Sequence, residues 1–194
     1  TTTCIPPLDN HWKWRTGEVN MWTGYNNEGK TEFLCHLALI KAHTEGKKFA
    51  VFSPENFPPH EFYDNLIHSY VGKGTDVDYK NNNNMNHHEF REAAKFIDKH
   101  FFLVYPEEGF QLDYIEAKML NLVKTQGVFG IIIDPYNMIE HKMNYGERED
   151  LYISRFMSRL KNFAVINDVV LNLVAHQVTP RKKDGENYPK PNII

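Results

Sequence analysis

Residues 24–31 follow the pattern G-x-x-x-x-G-K-S/T, which is the signature of a phosphate-binding loop. In such a loop the backbone N–H groups surround a β-phosphate, and the N-terminus of the following helix points at it. Lys30 would reach the β- and γ-phosphates, and the Thr31 hydroxyl would bind Mg²⁺. The residues predicted to bind the nucleotide are Gly24, Asn26, Asn27, Glu28, Gly29, Lys30, Thr31 and Glu32.

The segments on either side of the loop are the ones that its chemistry requires. Residues 19–23 predict a short buried strand, and residues 32–43 carry apolar side chains at helical spacing. A glycine-rich turn can match the same pattern by chance. The strand before the motif and the helix after it favour a genuine phosphate loop.

Polar residues follow three of the later apolar runs, where phosphoryl-transfer chemistry would use them. Asp134 follows residues 131–133 and would contact Mg²⁺ through water. Glu55 would take a proton from an attacking water, and His176 would hydrogen-bond the γ-phosphate and report its loss. Asp134 and Glu55 could instead be ordinary turn residues. Their occurrence after a phosphate loop favours the catalytic interpretation.

Apolar runs alternate with amphipathic segments along the whole chain, which predicts an α/β fold with a mostly parallel sheet covered by helices on both faces. Ligands bind such sheets outside the carboxyl ends of the strands. The pair Pro6-Pro7 is expected to prevent helix formation in the entry segment, and Trp12 and Trp14 are expected to cover the edge of the core. The predicted strands are 19–23, 47–53, 101–105, 128–133 and 169–175, and the predicted helices are 32–43, one from Pro58, 89–99, 113–124 and 147–166.

Two polar features outside these motifs have simpler interpretations. The segment after His176 carries Arg181, Lys182 and Lys183, which would suit a polyanion but would equally suit a solvated loop. The adjacent His87 and His88 predict an exposed helix start, because neighbouring side chains on a helix diverge and cannot share a metal.

Composition places the chain among ordinary globular proteins of about one domain. It has 194 residues, of which 41% are hydrophobic and 24% charged, and a net charge of -3, which argues against a strongly basic nucleic-acid binder. Cys4 and Cys35 are too few for a disulfide framework, so we expect a reducing compartment. No apolar run is long enough to span a membrane, and no signal peptide is visible. Because the chain begins at Thr1, we expect an excised fragment.

From about Leu8 to its end, the ordered set of motifs resembles the RecA-like motor domain of hexameric replicative DNA helicases of the DnaB and Twinkle type. Residues 52–56 are similar to the strand that ends in the family's catalytic glutamate, although Asn56 stands where the family usually has methionine. Residues 131–137 are similar to its metal-binding aspartate and turn. At the position that senses the γ-phosphate, His176 resembles the residue of the phage and mitochondrial branch, whereas DnaB itself has glutamine there.

The resemblance implies a RecA-like nucleoside-triphosphatase core that uses ATP or another NTP with Mg²⁺. It implies single-stranded DNA as a partner, a hexameric ring in the intact protein, an associated primase domain or protein, and the cytoplasm of a phage-infected bacterium. The family's last strands and arginine finger would lie beyond Ile194, so the chain is expected to hydrolyse nucleotide poorly by itself. The residues expected to contact DNA are Lys142, Arg181, Lys182 and Lys183.

Three alternatives remain from the sequence. Another RecA-like DNA-dependent ATPase, such as a recombinase or repair ATPase, would share every catalytic residue. A small-molecule kinase would need an arginine-rich lid, for which the chain offers few arginines. A non-catalytic nucleotide-binding module is disfavoured, because Lys30, Thr31, Glu55 and Asp134 are all present.

Overall fold

Strands and helices alternate along the residues that the computed structural model describes, which are 1–25, 27–56, 58–74, 84–105, 109–140, 143, 145–146 and 148–176. The strands are β1 (Val19–Gly24), β2 (Phe49–Phe52), β3 (Phe101–Leu103), β4 (Gly130–Ile133) and β5 (Val170–His176). The helices are α1 (Pro6–Asp9), α2 (Lys30–Glu45), α3 (Pro59–Val71), α4 (His87–His100), α5 (Leu112–Gln126) and α6 (Glu149–Ile166), with a 3₁₀ turn at Tyr136–Met138. The predicted elements are confirmed, with boundaries that differ by a few residues.

The five strands form one parallel sheet in the order β1-β5-β4-β2-β3. Because every strand runs the same way, all carboxyl ends lie at one edge of the sheet. Gly24 at the end of β1 is paired with His176 at the end of β5. The fold therefore brings the phosphate loop and the ends of β5, β4 and β2 to the same edge, where parallel sheets bind ligands.

Two apolar cores cover the two faces of the sheet, as predicted. Helices α2, α3 and α4 pack on one face, and α5 and α6 pack on the other. Along β4 the side chain of Ile132 faces the first core, whereas Ile131 and Ile133 face the second. All three are almost fully buried, which explains why this strand is continuously apolar in sequence. None of the described helices is long and apolar enough to cross a membrane.

The start of α4 shows how the local sequence sets a helix boundary. The Asn86 side chain accepts hydrogen bonds from the backbone N–H groups of His88 and Glu89, and the Glu89 side chain accepts from Asn86 N, which makes a capping box. His87 and His88 are exposed in the first turn, which confirms the prediction of a solvated helix start.

Three predictions about local packing were wrong. Pro6 and Pro7 do not prevent a helix but begin α1, because the missing proline N–H has no intrahelical partner in a first turn anyway. Trp14 is not at the core's edge but fully buried, in contact with Phe49. Residues 19–23 were expected to form a buried strand, yet Met21 is 52% exposed, because β1 lies at the edge of the sheet.

Candidate active site

The phosphate-loop residues join the end of β1 to the start of α2. Gly29 adopts a left-handed conformation (φ 73°) immediately before the helix, which glycine accepts at little cost. The Glu28 carboxylate accepts a hydrogen bond from Tyr25 N (2.8 Å), and Lys30 Nζ donates to the Tyr25 carbonyl (2.6 Å). A Cβ atom on Gly24 would lie 2.7 Å from the Glu28 carboxylate, so glycine lets the loop fold back closely on itself.

Asp134 lies directly after β4, between the ends of β5 and β2 in the strand order, and only 2% of the residue is exposed. Burial raises the pKa of its carboxyl group above the ordinary value, and the charge of Glu55 acts in the same direction. The pKa is lowered in part by a hydrogen bond from the Thr31 side chain and by the charges of His176 and Lys30. These influences show that the strand ends converge around Asp134.

His176 and Glu55 meet although their strands are not neighbours. Nε2 of His176 lies 3.4 Å from Oε2 of Glu55, whose side chain is 54% exposed. Within the described residues neither ring nitrogen of His176 has a hydrogen-bond partner. The Glu55 turn is held by Asn56, which donates through its backbone N–H to the Ser53 carbonyl and through its side chain to the Ser53 hydroxyl (2.7 Å).

The predicted catalytic and metal-binding residues are therefore brought together. Among the remaining loop residues, Asn27 has a positive φ of 62° and Glu32 is exposed in the first turn of α2. The predicted residues that lie outside the described part of the chain are Asn26, Lys142, Arg181, Lys182 and Lys183.

A cavity of about 410 Å³ lies between the first turns of α2 and the helix α3. Its wall includes Thr31 and Cys35, which are one helical turn apart and so share a face of α2. Burial, together with the charges of Asp134 and Glu32, raises the pKa of the Cys35 thiol to about 12. Sequence reasoning missed this wall of the site, although the four-residue spacing from Thr31 could have indicated it. The lining residues are Thr31, Glu32, Cys35, Asn56, Phe62, Asn65, Leu66, His68 and Ser69.

At nucleotide sites Mg²⁺ is usually bound by one or two protein ligands together with phosphates and water. The residues around Asp134 fit that pattern. Oδ1 of Asp134 is buried and has no hydrogen-bond partner among the described residues. A buried carboxylate oxygen without a partner is costly, and a cation would satisfy it. In the described part of the chain no three His, Cys, Asp or Glu side chains converge as an all-protein metal site.

Known proteins resemble this chain in sequence and in fold. No protein-family model matches the chain. The Twinkle homolog protein of Arabidopsis thaliana, described as chloroplastic/mitochondrial, is 28% identical over 182 residues, which cover 92% of this chain and 26% of that protein. The chain thus spans about a quarter of the length of this curated relative.

Two solved structures have a similar fold at low sequence identity. The first is an ATPase domain that aligns with a TM-score of 0.70 at 18% identity, covering 90% of this chain and 62% of that one. The second is a DnaB-like replicative helicase, whose structure concerns its interactions with primase, and it aligns with a TM-score of 0.72 at 16% identity, covering 97% and 46%. The chain therefore has the fold of the ATPase domains of DnaB-like helicases, and its resemblance to RecA-like replicative helicase motors is confirmed.

Proposed function

We propose that this chain is the motor domain of a replicative DNA helicase, which couples hydrolysis of ATP or another NTP to movement along single-stranded DNA. The observation that carries the proposal is the convergence of a phosphate loop, a buried carboxylate, an exposed carboxylate and a histidine at one edge of the sheet. The similarity to a Twinkle homologue and to DnaB-like ATPase domains supports it.

Lys30 and Asp134 are the two charged groups that the proposed chemistry uses in nucleotide binding. The Lys30 ammonium already lies across the loop, where it donates to the Tyr25 carbonyl, and it would exchange that partner for phosphate oxygens. Thr31 and Asp134 would hold Mg²⁺ through the hydroxyl and the carboxylate. When bound there, Mg²⁺ neutralises the negative charge that develops on the transferred phosphoryl group.

Glu55 and His176 would act at the γ-phosphate. The exposure of Glu55 leaves its carboxylate free to accept a proton from water, which is the role of a general base. The His176 ring has no hydrogen-bond partner among the described residues, so it can donate to a phosphate oxygen. Because His176 also touches Glu55, loss of the phosphate would change the contacts of both residues.

The DNA contacts are proposed for the two segments that follow the site in sequence. Lys142 follows Asp134, and the basic residues Arg181, Lys182 and Lys183 follow His176. We propose that these side chains grip the backbone of one DNA strand in the channel of a hexameric ring. We also propose that the intact protein works with a primase and is intracellular. His176 indicates that it belongs to the phage-like branch.

The deciding experiment measures ATP hydrolysis and strand unwinding by the intact protein with and without single-stranded DNA. We expect DNA to stimulate hydrolysis and ATP to drive unwinding. The double variant Lys182→Gln, Lys183→Gln should weaken both the stimulation and the unwinding. The same measurements should show a strong dependence on salt, since phosphate contacts release counterions. Filament formation with strand exchange and no unwinding would instead identify a recombinase.

A further inference from the structure

Asn172 is a fully buried amide in the middle of β5, between apolar neighbours. Burying an amide costs free energy unless its polar atoms find partners. The neighbouring Leu171 and Leu173 are buried in the same strand, and their side chains have no polar atoms that need partners. A polar side chain at this position therefore calls for a reason other than burial.

The Asn172 amide connects three neighbouring strands. Its Oδ1 accepts hydrogen bonds from Asn20 Nδ2 (3.3 Å) and from Trp22 Nε1 (3.1 Å), both on β1. Its Nδ2 donates to the backbone carbonyl of Ile131 on β4 (3.3 Å). Asn20 in turn accepts from Trp12 Nε1 (3.1 Å), which extends the network into the entry segment.

These three strands carry three parts of the proposed nucleotide site. In the strand register Asn172 is opposite Asn20 on β1 and Ile132 on β4. Four residues later along β1 and β5, the strands end at Gly24 and His176, while Asp134 follows Ile132 by two residues. Because side chains alternate along a strand, Asn172 and His176 project from the same face.

We propose that Asn172 is a positioning residue for the nucleotide site, which it serves by fixing β1, β5 and β4 relative to one another. Directional hydrogen bonds resist small sliding or splaying of strands, which apolar packing tolerates more easily. The bonds to β1 hold the phosphate loop against His176, and the bond to β4 holds Asp134. This inference rests on the proposed function, because it presupposes nucleotide chemistry at that edge.

Two substitutions separate the two sides of the network. Asn172→Asp keeps the acceptor for Asn20 and Trp22, but its ionised form, which measurement at pH 8 favours, cannot donate to the Ile131 carbonyl, so the tie to β4 is lost. Trp22→Phe removes one donor from β1 and keeps an aromatic ring in place. Leu171→Ala is the matched control, since it weakens the core on the opposite face of the same strand without touching the amide network.

The measurements are kcat and KM for ATP and the Mg²⁺ concentration that half-saturates turnover, made on the intact protein below the unfolding temperature of every variant. We expect Asn172→Asp to lower kcat roughly 10- to 100-fold, as small displacements of catalytic groups do, and to raise the Mg²⁺ requirement. Trp22→Phe should raise KM for ATP with little change in the Mg²⁺ requirement. Leu171→Ala should lower the melting temperature only.

The outcomes distinguish this inference from the proposed function. If Asn172→Asp turns over ATP with the wild-type kcat and Mg²⁺ requirement while Lys30→Ala abolishes turnover, Asn172 is only a structural residue and the proposed function stands. The same conclusion follows if Leu171→Ala reproduces the kinetic changes of Asn172→Asp. If Lys30→Ala leaves turnover unchanged, both proposals are wrong.

Discussion

The imidazole of His176 and the carboxylate of Glu55 lie 3.4 Å apart, although β4 separates the two strands that present them. Asp134 follows that intervening strand, and both residues act on the pKa of its carboxyl group. The proposed base, the proposed sensor and the proposed metal ligand therefore form one electrostatic unit. A substitution at any of the three should therefore change the electrostatic environment of the other two.

Glu55→Gln should preserve nucleotide binding and lose turnover. The amide is close in size to the carboxylate but cannot take a proton, and general bases commonly contribute about 10²–10⁴-fold. Turnover and nucleotide affinity of the intact protein would be measured together. Glu61→Gln, an exposed carboxylate in the first turn of α3, is the control. A loss of binding without a lower turnover per bound nucleotide would make Glu55 a structural residue.

His176→Ala should uncouple hydrolysis from DNA. Removing the ring deletes the contact with Glu55 and the proposed report of phosphate loss to the basic segment that follows. We expect basal hydrolysis to persist at a reduced level while stimulation by single-stranded DNA disappears. His88→Ala, at an exposed position on α4, is the control. Full DNA stimulation in the His176 variant would exclude a sensor role.

Asp134→Asn should stabilise the fold at neutral pH and abolish Mg²⁺-dependent turnover. Because the pKa of Asp134 is raised in the folded state, the folded protein binds the proton more tightly than the unfolded chain does. The free energy of unfolding therefore falls as the pH rises from the ordinary pKa of 3.8 through the raised pKa of the folded state. Asparagine does not ionise, so the variant avoids this loss of stability.

Urea unfolding of Asp134→Asn without Mg²⁺ checks the sign of this effect. The variant should unfold at a higher urea concentration than the wild type at pH 7, and the difference should vanish in strong acid, where both states are protonated. Asp98→Asn, at an exposed position on α4, is the control. A destabilised Asp134→Asn protein at pH 7 would contradict the account of a costly buried carboxylate.

The two cysteines should differ sharply in reactivity. Cys4 is exposed, whereas Cys35 is buried and the pKa of its thiol is raised to about 12. Since the thiolate is the reactive form, iodoacetamide at pH 8 should label Cys4 quickly and Cys35 only after unfolding. Mass spectrometry of the wild type and of Cys4→Ser checks this. Fast labelling of folded Cys4→Ser would show that Cys35 is accessible.

The parts of the site that could be predicted from sequence are those that local patterns determine. Gly24, Gly29, Lys30 and Thr31 form a contiguous motif, and their position between β1 and α2 follows from it. Asp134 could be located because a fully buried strand ends there. The roles assigned to these residues stay predictions until a variant is measured.

The features that could not be predicted depend on the order of strands in the sheet. The contact between Glu55 and His176 requires β5, β4 and β2 to be consecutive, and no local pattern encodes that order. The network of Asn172 likewise joins residues about 150 positions apart in sequence, such as Trp22. Its one signal is an asparagine inside an otherwise apolar run.

The central claim is that Lys30 and its loop bind the phosphates of a nucleotide. The most direct test is equilibrium binding of ATP with Mg²⁺ to this chain and to Lys30→Ala, with Lys95→Ala, an exposed lysine of α4, as the charge-matched control. We expect saturable binding that Lys30→Ala weakens at least about tenfold, since hydrogen bonds to charged groups contribute roughly 1.5–3 kcal/mol. Equal affinity of the folded Lys30→Ala protein and the wild type, or no binding by the wild type, would contradict the claim.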